Sequence, residues 1–412
     1  MISGVSGHGD RTGWPETTTV QPFLVFLLAY TLSQFFRSFL AVIAPELTLV
    51  LLLTPGELGL MSATWFATFA VAQFPVGWAL DRFGPRRTVS IGMLAAVVGA
   101  LVCARAEGLS GGILAMGLIG LGCAPIYMGA LYLFGRVFAA DRFVLLASWM
   151  LAFGSGGSLL ATTPLALVAD RVGWRATFVG IAAVTAVSSA LIALLIKDPP
   201  RAVKPVAGRS GLDEFRDLLS IRALWPLLPL IAVSYAVVIA ERGVWVGTYL
   251  AEVYGLAPVP RGNAVFLIAA ATIVGTFVIG WVDRYVARKT LVAIGSGVAC
   301  ALFVVLWIWP TMPLAMAVGA VALVGAFGAT YAVLMAHGRT FLPDHLLGRG
   351  ITFMNFTFMT GTALVQLISG RVVDALKSAG HGSADVFATL HLGFGIVLLL
   401  ATLVYLTART SR

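Results

Sequence analysis

Charge is what this 412-residue chain has least of: Asp, Glu, Lys and Arg make up 11% of it. A soluble domain carries about 25%. A water-soluble protein of this length would divide into two or three cores with polar surfaces between them, and no polar surface of that size is available. Cysteine is scarce too. Cys103, Cys123 and Cys300 stand in apolar runs with no CxxC and no nearby histidine, which excludes a zinc, haem or iron–sulfur spacing and reads as three buried thiols. No nucleophile–His–acid set falls at membrane depth and there is no GxxxxGK[ST] phosphate loop. The chain is therefore expected to be neither an enzyme nor an ATP-driven pump, and to need no cofactor. The first twenty residues are polar, so no cleavable signal peptide is expected. The net charge of +9 does not suggest nucleic acid, because the basic residues are scattered over short loops.

What the chain has is apolar sequence, 59% by residue with a mean hydropathy of +0.96. A helix needs about 20 such residues to cross the bilayer. Spans are expected near 22–44, 59–80, 88–106, 111–138, 143–168 and 176–196, then 224–251, 263–282, 290–309, 313–336, 350–373 and 388–408. The predicted fold is all-α, with twelve transmembrane helices in two six-helix bundles at 22–196 and 223–408. Short tails are expected at 1–21 and 409–412. The linker at 197–222 carries Pro199, Pro200, Pro205 and six basic residues, and its part from Leu212 to Leu219 is a candidate surface helix. In odd–even alternation, the tails, linker and loops on one side hold 19 Lys and Arg, and the opposite loops hold six. That asymmetry predicts both termini in the cytoplasm, for a multi-pass protein of a bacterial inner membrane.

The halves repeat one another. Asp81-Arg82 recurs as Asp283-Arg284 and Arg136 as Arg339, while Tyr30 and Arg37 recur as Tyr235 and Arg242 at a common offset of 205. Two parallel repeats imply a pseudo-twofold axis along the membrane normal, with a central site at midplane.

The run Gly77-Trp-Ala-Leu-Asp81-Arg82-Phe-Gly84-Pro-Arg86-Arg87-Thr88 resembles the signature loop between helices 2 and 3 of the major facilitator superfamily. Gly154-Ser-Gly156-Gly157 resembles that family's glycine-rich motif on helix 5, and Arg339 to Arg349 its loop between helices 10 and 11. Gly280-Trp-Val-Asp283-Arg284 is a degraded copy of the signature. The resemblance implies that Asp81 with Arg82, Arg86 and Arg87 latches the halves in the outward-open state, with Gly77, Gly84, Asp283 and Arg284 in the same gating apparatus. Arg37-Ser-Phe-Leu-Ala-Val-Ile-Ala-Pro45 and Gln73-Phe-Pro75-Val-Gly77 resemble the organic-anion branches, the sugar-phosphate antiporters and anion:cation symporters.

Only Arg37, Glu241 and Arg242 are charged near the membrane centre, where an ionised side chain costs about 2.5–3.5 kcal/mol on insertion scales. The two arginines stand at matched depth on helices 1 and 7, and a guanidinium is a planar fork suited to carboxylate or phosphate. Tyr30, Gln34 and Arg37 share one stripe of helix 1, and Glu241, Trp245 and Tyr249 one stripe of helix 7. Trp65, Tyr127, Tyr331 and Asn355 complete the candidate substrate wall. Glu241 is the candidate proton-coupling residue, leaning toward helix 1 or 11. His337 is read as a loop-proximal histidine.

The expected function is secondary transport of a small organic anion by a monomer, with a proton or a counter-anion as co-substrate. Anion exchange without protons, export of an amphipathic compound, and a ligand sensor without flux are the alternatives.

Overall fold

Helix breakers divide the apolar sequence into its elements. In the computed structural model of the chain, residues 20–138, 140–199, 220–343 and 346–409 are described, and every regular element among them is helical. The 197–222 linker beyond Pro199 up to Leu219, with its candidate surface helix, lies outside the described residues, as do most of both tails. Among the described residues, ten helices are long and apolar enough to cross a membrane, or eleven if the bent pair Val20–Ser38 and Leu40–Val50 is one span. The chain is thus an all-α, multi-pass membrane protein.

Two local features shape this count. Pro55–Arg105 runs for 51 residues but contains Gly84 in a non-helical conformation, at φ 81° and ψ 167°, where two helices meet. Pro85 follows, and a residue before proline is driven out of the helical region. Glycine takes the positive φ without a side-chain penalty. This long element starts at a capping box: Thr54 Oγ1 accepts from the Glu57 backbone N–H at 3.2 Å, and Glu57 Oε2 accepts from that of Thr54 at 2.8 Å. The bent pair at the start of the chain turns by 50°. Pro45 lies inside its second helix, where it cannot donate to the carbonyl of Ala41 one turn earlier.

The bundle is closed at the end away from the chain termini, by residues from opposite halves. Arg261, 3% exposed, donates from Nη2 to the Val42 carbonyl at 2.7 Å and to Glu46 Oε1 at 2.5 Å. Thr163 Oγ1 donates to Asn263 Oδ1 at 2.9 Å. Pro55–Arg105 and Leu347–Ser378 meet backbone to backbone, such that a Cβ built on Gly59 would lie 2.8 Å from the Cα of Gly370. At the other end, Arg86 and Arg288 bond within their own halves. Arg86 donates its backbone N–H to Asp198 Oδ1 at 2.8 Å and its Nε to the Ala193 carbonyl at 2.6 Å. Arg288 pairs with Asp283 at 3.3 Å.

Candidate functional site

The break in the first span creates the centre of the site. Arg37 occupies the last turn of Val20–Ser38, just before the bend, and its guanidinium lies 5.1 Å from the Trp65 ring and 5.5 Å from the Phe69 ring. These two rings stack on each other at 5.2 Å. A cation over aromatic faces gains about 0.5–2 kcal/mol and keeps its hydrogen-bond donors free. Among the described residues no acidic side chain pairs with Arg37, and two buried donors, Arg37 Nε and Trp65 Nε1, have no partner. Gln34 Oε1 is likewise buried and unpartnered. Leaving such groups unmet costs about 1–3 kcal/mol each, which a bound anion would recover at the two donors.

Aromatic side chains from both halves close around this cation. Tyr30 and Tyr127 face each other with ring centroids 5.1 Å apart. From the other half, Tyr331 lies 4.3 Å from Phe358 and 6.5 Å from Tyr235, and its hydroxyl donates to Asn355 Oδ1 at 2.9 Å. Tyr30 and Tyr331 are both within electrostatic range of Arg37. The structure therefore brings Tyr30, Gln34, Arg37, Trp65, Tyr127, Tyr331 and Asn355 into one region. Tyr235 joins them. The repeat marked it as the partner of Tyr30, and that correspondence was the signal for its place here.

The seventh span departs from a uniform helix. Leu228–Ala240 gives way to a π-helical turn, Glu241–Trp245, before the α-helix resumes as Val246–Tyr254. Such turns widen the helix and re-aim the residues around them, and they concentrate at functional sites. Of the expected Glu241–Trp245–Tyr249 stripe, Glu241 and Tyr249 still face one neighbour, His391. Trp245 is fully buried and donates from Nε1 to Ser369 Oγ on Leu347–Ser378 at 2.9 Å, which ties the two helices together. Arg242 is half-buried on the same turn. The turn passes close to the first span, since a Cβ on Gly243 would lie 4.0 Å from the Arg37 carbonyl. One turn further, Gly247 packs directly on the Ala41 carbonyl that Pro45 leaves without its helical donor; no side chain fits there.

Glu241 leans toward neither the first nor the eleventh span. Its Oε1 lies 3.3 Å from His391 Nε2 on Ser383–Leu406, with side-chain exposures of 1% and 0%. Sequence reasoning missed His391. It lies in the last apolar run, and a histidine there carries no periodic signal; the signal available was simply that it is ionisable and near mid-span. His337 stands, as expected, in the last turn of Tyr331–Arg339 beside the following loop. It is fully buried, with Nδ1 2.7 Å from Tyr405 Oη and Nε2 3.1 Å from the Arg409 carbonyl, and it ties two helices together near the chain's end.

The loop at Gly77–Thr88 lies at the end of the bundle that carries the termini. Asp81 lies beside Tyr132, Arg82 lies 5.4 Å over Trp78, and a side chain on Gly84 would collide with the Asp198 carboxylate. Arg87 and Asp81 line a small pocket with Tyr132, Asp198 and Pro199. All of these belong to the first half of the chain. Arg284 is exposed, and a Cβ on Gly77 would meet nothing within 4 Å among the described residues.

The sequence model of the Major Facilitator Superfamily matches residues 26–366. The chain is 25% identical over 372 residues to the glycerol-3-phosphate transporter of Bacillus subtilis (strain 168), covering 79% of each chain. It is 22% identical over 426 residues to the membrane sensor protein UhpC of Escherichia coli (strain K12), covering 94% of this chain and 92% of that one. Among solved structures, a bacterial homolog of the human lysosomal transporter Spinster, in an inward-facing and occupied conformation, superposes with a TM-score of 0.79 at 16% identity, over 96% of this chain and 97% of that chain. The bent and broken spans, the repeated halves and the family match together place this chain in the Major Facilitator Superfamily, as a secondary transporter that moves small solutes by alternating access.

Proposed function

We propose that the chain carries a small organic anion, a phosphate ester or a carboxylate, across a bacterial inner membrane in a proton-linked cycle. The observation that carries this reading is Arg37: a cation without an acidic partner among the described residues, held on the Trp65 and Phe69 rings with a buried, unmet Nε. A fork of donors held open at midplane matches an anion's planar oxygens, and the nearness of Arg242 on the adjoining π-turn supplies a second cation. The similarity to a glycerol-3-phosphate transporter points the same way.

The bent pair counts as one span and the two helices flanking Gly84 as two, so the architecture is twelve spans, six in each half. The bias of basic residues sets both termini in the cytoplasm. The closed end is then periplasmic, and Asp81, the loop arginines and their counterparts at Asp283 and Arg284 are the charges that engage when the cytoplasmic end closes in turn.

Counterflow in proteoliposomes tests the reading, with glycerol 3-phosphate, a hexose phosphate, a monocarboxylate and a dicarboxylate as the panel. Arg37→Lys keeps the charge but loses the fork, so it is expected to weaken the accepted anion's binding at least tenfold, and Arg37→Ala to abolish counterflow. Normal transport by Arg37→Ala would overturn the proposal. The similarity to a membrane sensor protein supports a second reading, ligand binding without flux; saturable binding with no counterflow would select it.

A further inference from the structure

The anion site makes no use of the carboxylate and imidazole enclosed in the second half of the chain. Glu241 and His391 are at 1% and 0% side-chain exposure, 3.3 Å apart. The imidazole lies against the Phe303 ring, with centroids at 6.2 Å and 26° between planes, and edge-on to Tyr249 at 5.4 Å. Each group is only half satisfied, because Glu241 Oε2 and His391 Nδ1 have no partner among the described residues. An acid and a base are among the costliest groups to bury, and an apolar pair of similar volume is often at least as stable. What this pair can do that an amide or a leucine cannot is hold a proton and give it up.

We propose that Glu241 and His391 together form the proton-binding site of the transport cycle, set apart from the anion site and joined to it through the π-turn Glu241–Trp245. This rests on the proposed anion transport. In both protonation states His391 Nε2–H donates to Glu241 Oε1. In the loaded state Nδ1 also carries hydrogen, so an imidazolium faces a carboxylate and the pair is neutral. On release the Nδ1–H bond breaks, its electron pair stays on nitrogen, and the proton passes to solvent water as hydronium. The unloaded pair is left with one negative charge.

The surroundings decide what senses that charge. On the seventh span Tyr249 is engaged, its hydroxyl donating to the Pro310 carbonyl at 2.8 Å and sharing a contact with Tyr254. The ninth span, Arg288–Ile308, offers Cys300, which bonds the Gly395 carbonyl, and has Arg288 and Lys289 only at its far end. Leu314–Gly328 on the tenth span has no titratable residue. Arg261 on the eighth is bound to Glu46. On the eleventh, Lys377 is paired with Glu252, and Arg371 and Asp374 belong to the same end of that helix. Among the described residues, the uncommitted cations near the pair are Arg242, next in sequence to Glu241, and Arg37 beside the same turn, the two residues assigned to the anion. An anion on the arginines withdraws the support they give to the unloaded pair, so anion and proton favour each other's binding, reciprocally by linkage.

Two measurements test this. Potentiometric titration of the anion-free protein in detergent, across roughly pH 5 to 9 so as to span the ordinary histidine range, is expected to show one proton fewer in Glu241→Gln, one fewer in His391→Gln, and one fewer, not two, in the double variant. If one variant is not obtained folded, the other single variant carries the count. His337→Gln, at a histidine bonded to Tyr405 and the Arg409 carbonyl, controls for loss of any buried imidazole. Equal proton counts in wild type and variants, or losses that sum to two, would overturn the shared site. The second arm measures glycerol 3-phosphate affinity against pH in wild type and variants together, so that the ligand's own ionisation cancels. Relative to the variants, wild-type affinity should tighten by up to about tenfold per unit of falling pH, the slope for one linked proton. Parallel profiles would overturn the coupling. Failure of the whole anion panel to bind, with the proton count intact, would overturn the anion reading and leave the proton site standing.

Discussion

Glu46→Gln is the sharpest probe of how the closed end is held. Arg261 is 3% exposed, and its Nη2 is shared between the Val42 carbonyl and the Glu46 carboxylate, itself 32% exposed. The amide is isosteric and can still accept, so packing is preserved and only the charge is lost. A hydrogen bond between charged groups contributes about 1.5–3 kcal/mol. The partial exposure of Glu46 screens the pair, which favours the lower part of that range. Because the contact joins opposite halves, it exists only while that end is closed, so its loss moves the closed-to-open ratio and leaves the fold intact. At about 1.4 kcal/mol per factor of ten, the ratio should fall about tenfold. Thr163 and Asn263, whose oxygens are 2.9 Å apart across the same seam, supply the reporter. In the Thr163→Cys/Asn263→Cys protein, an oxidant and a maleimide compete: the disulfide forms when the end is closed, and alkylation reports the open form. The ratio of the two products should drop about tenfold in the Glu46→Gln background. An unchanged ratio would show that the ion pair is incidental and that backbone packing alone closes this end.

Two further outcomes are expected. Asp81→Asn should slow turnover several-fold with near-normal anion affinity, measured by counterflow and by binding on the same preparation, because Asp81 lies at the end with the termini beside Tyr132, far along the chain's helices from Arg37; a large affinity loss at unchanged maximal rate would move this loop into the site. Gly247→Ala should cost about 1–3 kcal/mol of stability, the range for overpacking, since its methyl group would overlap the Ala41 carbonyl; a melting temperature equal to wild type, read by thermal unfolding in detergent, would refute that packing argument.

The fold was open to reading because hydropathy and helix breakers act locally. Gly84-Pro85 marks a helix boundary wherever it stands, and Pro45 bends whatever helix contains it. The cluster around Arg37 was legible for a different reason: a charge at midplane is costly enough to single out its surroundings, and the duplicated halves pointed to Tyr235 as the counterpart of Tyr30. The π-turn was not legible. Nothing in Glu-Arg-Gly-Val-Trp distinguishes it from ordinary helix, because the extra residue is accommodated by packing against the first span at Gly243 and Gly247. Reading that stretch as uniform helix aimed Glu241 at the first or eleventh span, where the structure has it beside His391, and that histidine was overlooked with it. Cross-helix pairs of this kind depend on rotation about a helix axis, and hydropathy carries no information about a shift of part of a turn.

The meeting of Gly59 with Gly370 bears on how quickly the protein can work. Interlocked side chains must change rotamer, or ratchet over one another, before two helices part. Two bare backbones present smooth surfaces with nothing to disengage, so separation there meets little internal friction and strips few dispersion contacts at once. A seam made this way resembles a slide bearing more than a zip: it closes tightly enough to exclude solvent, yet its opening is limited by the few polar ties beside it and not by the area in contact.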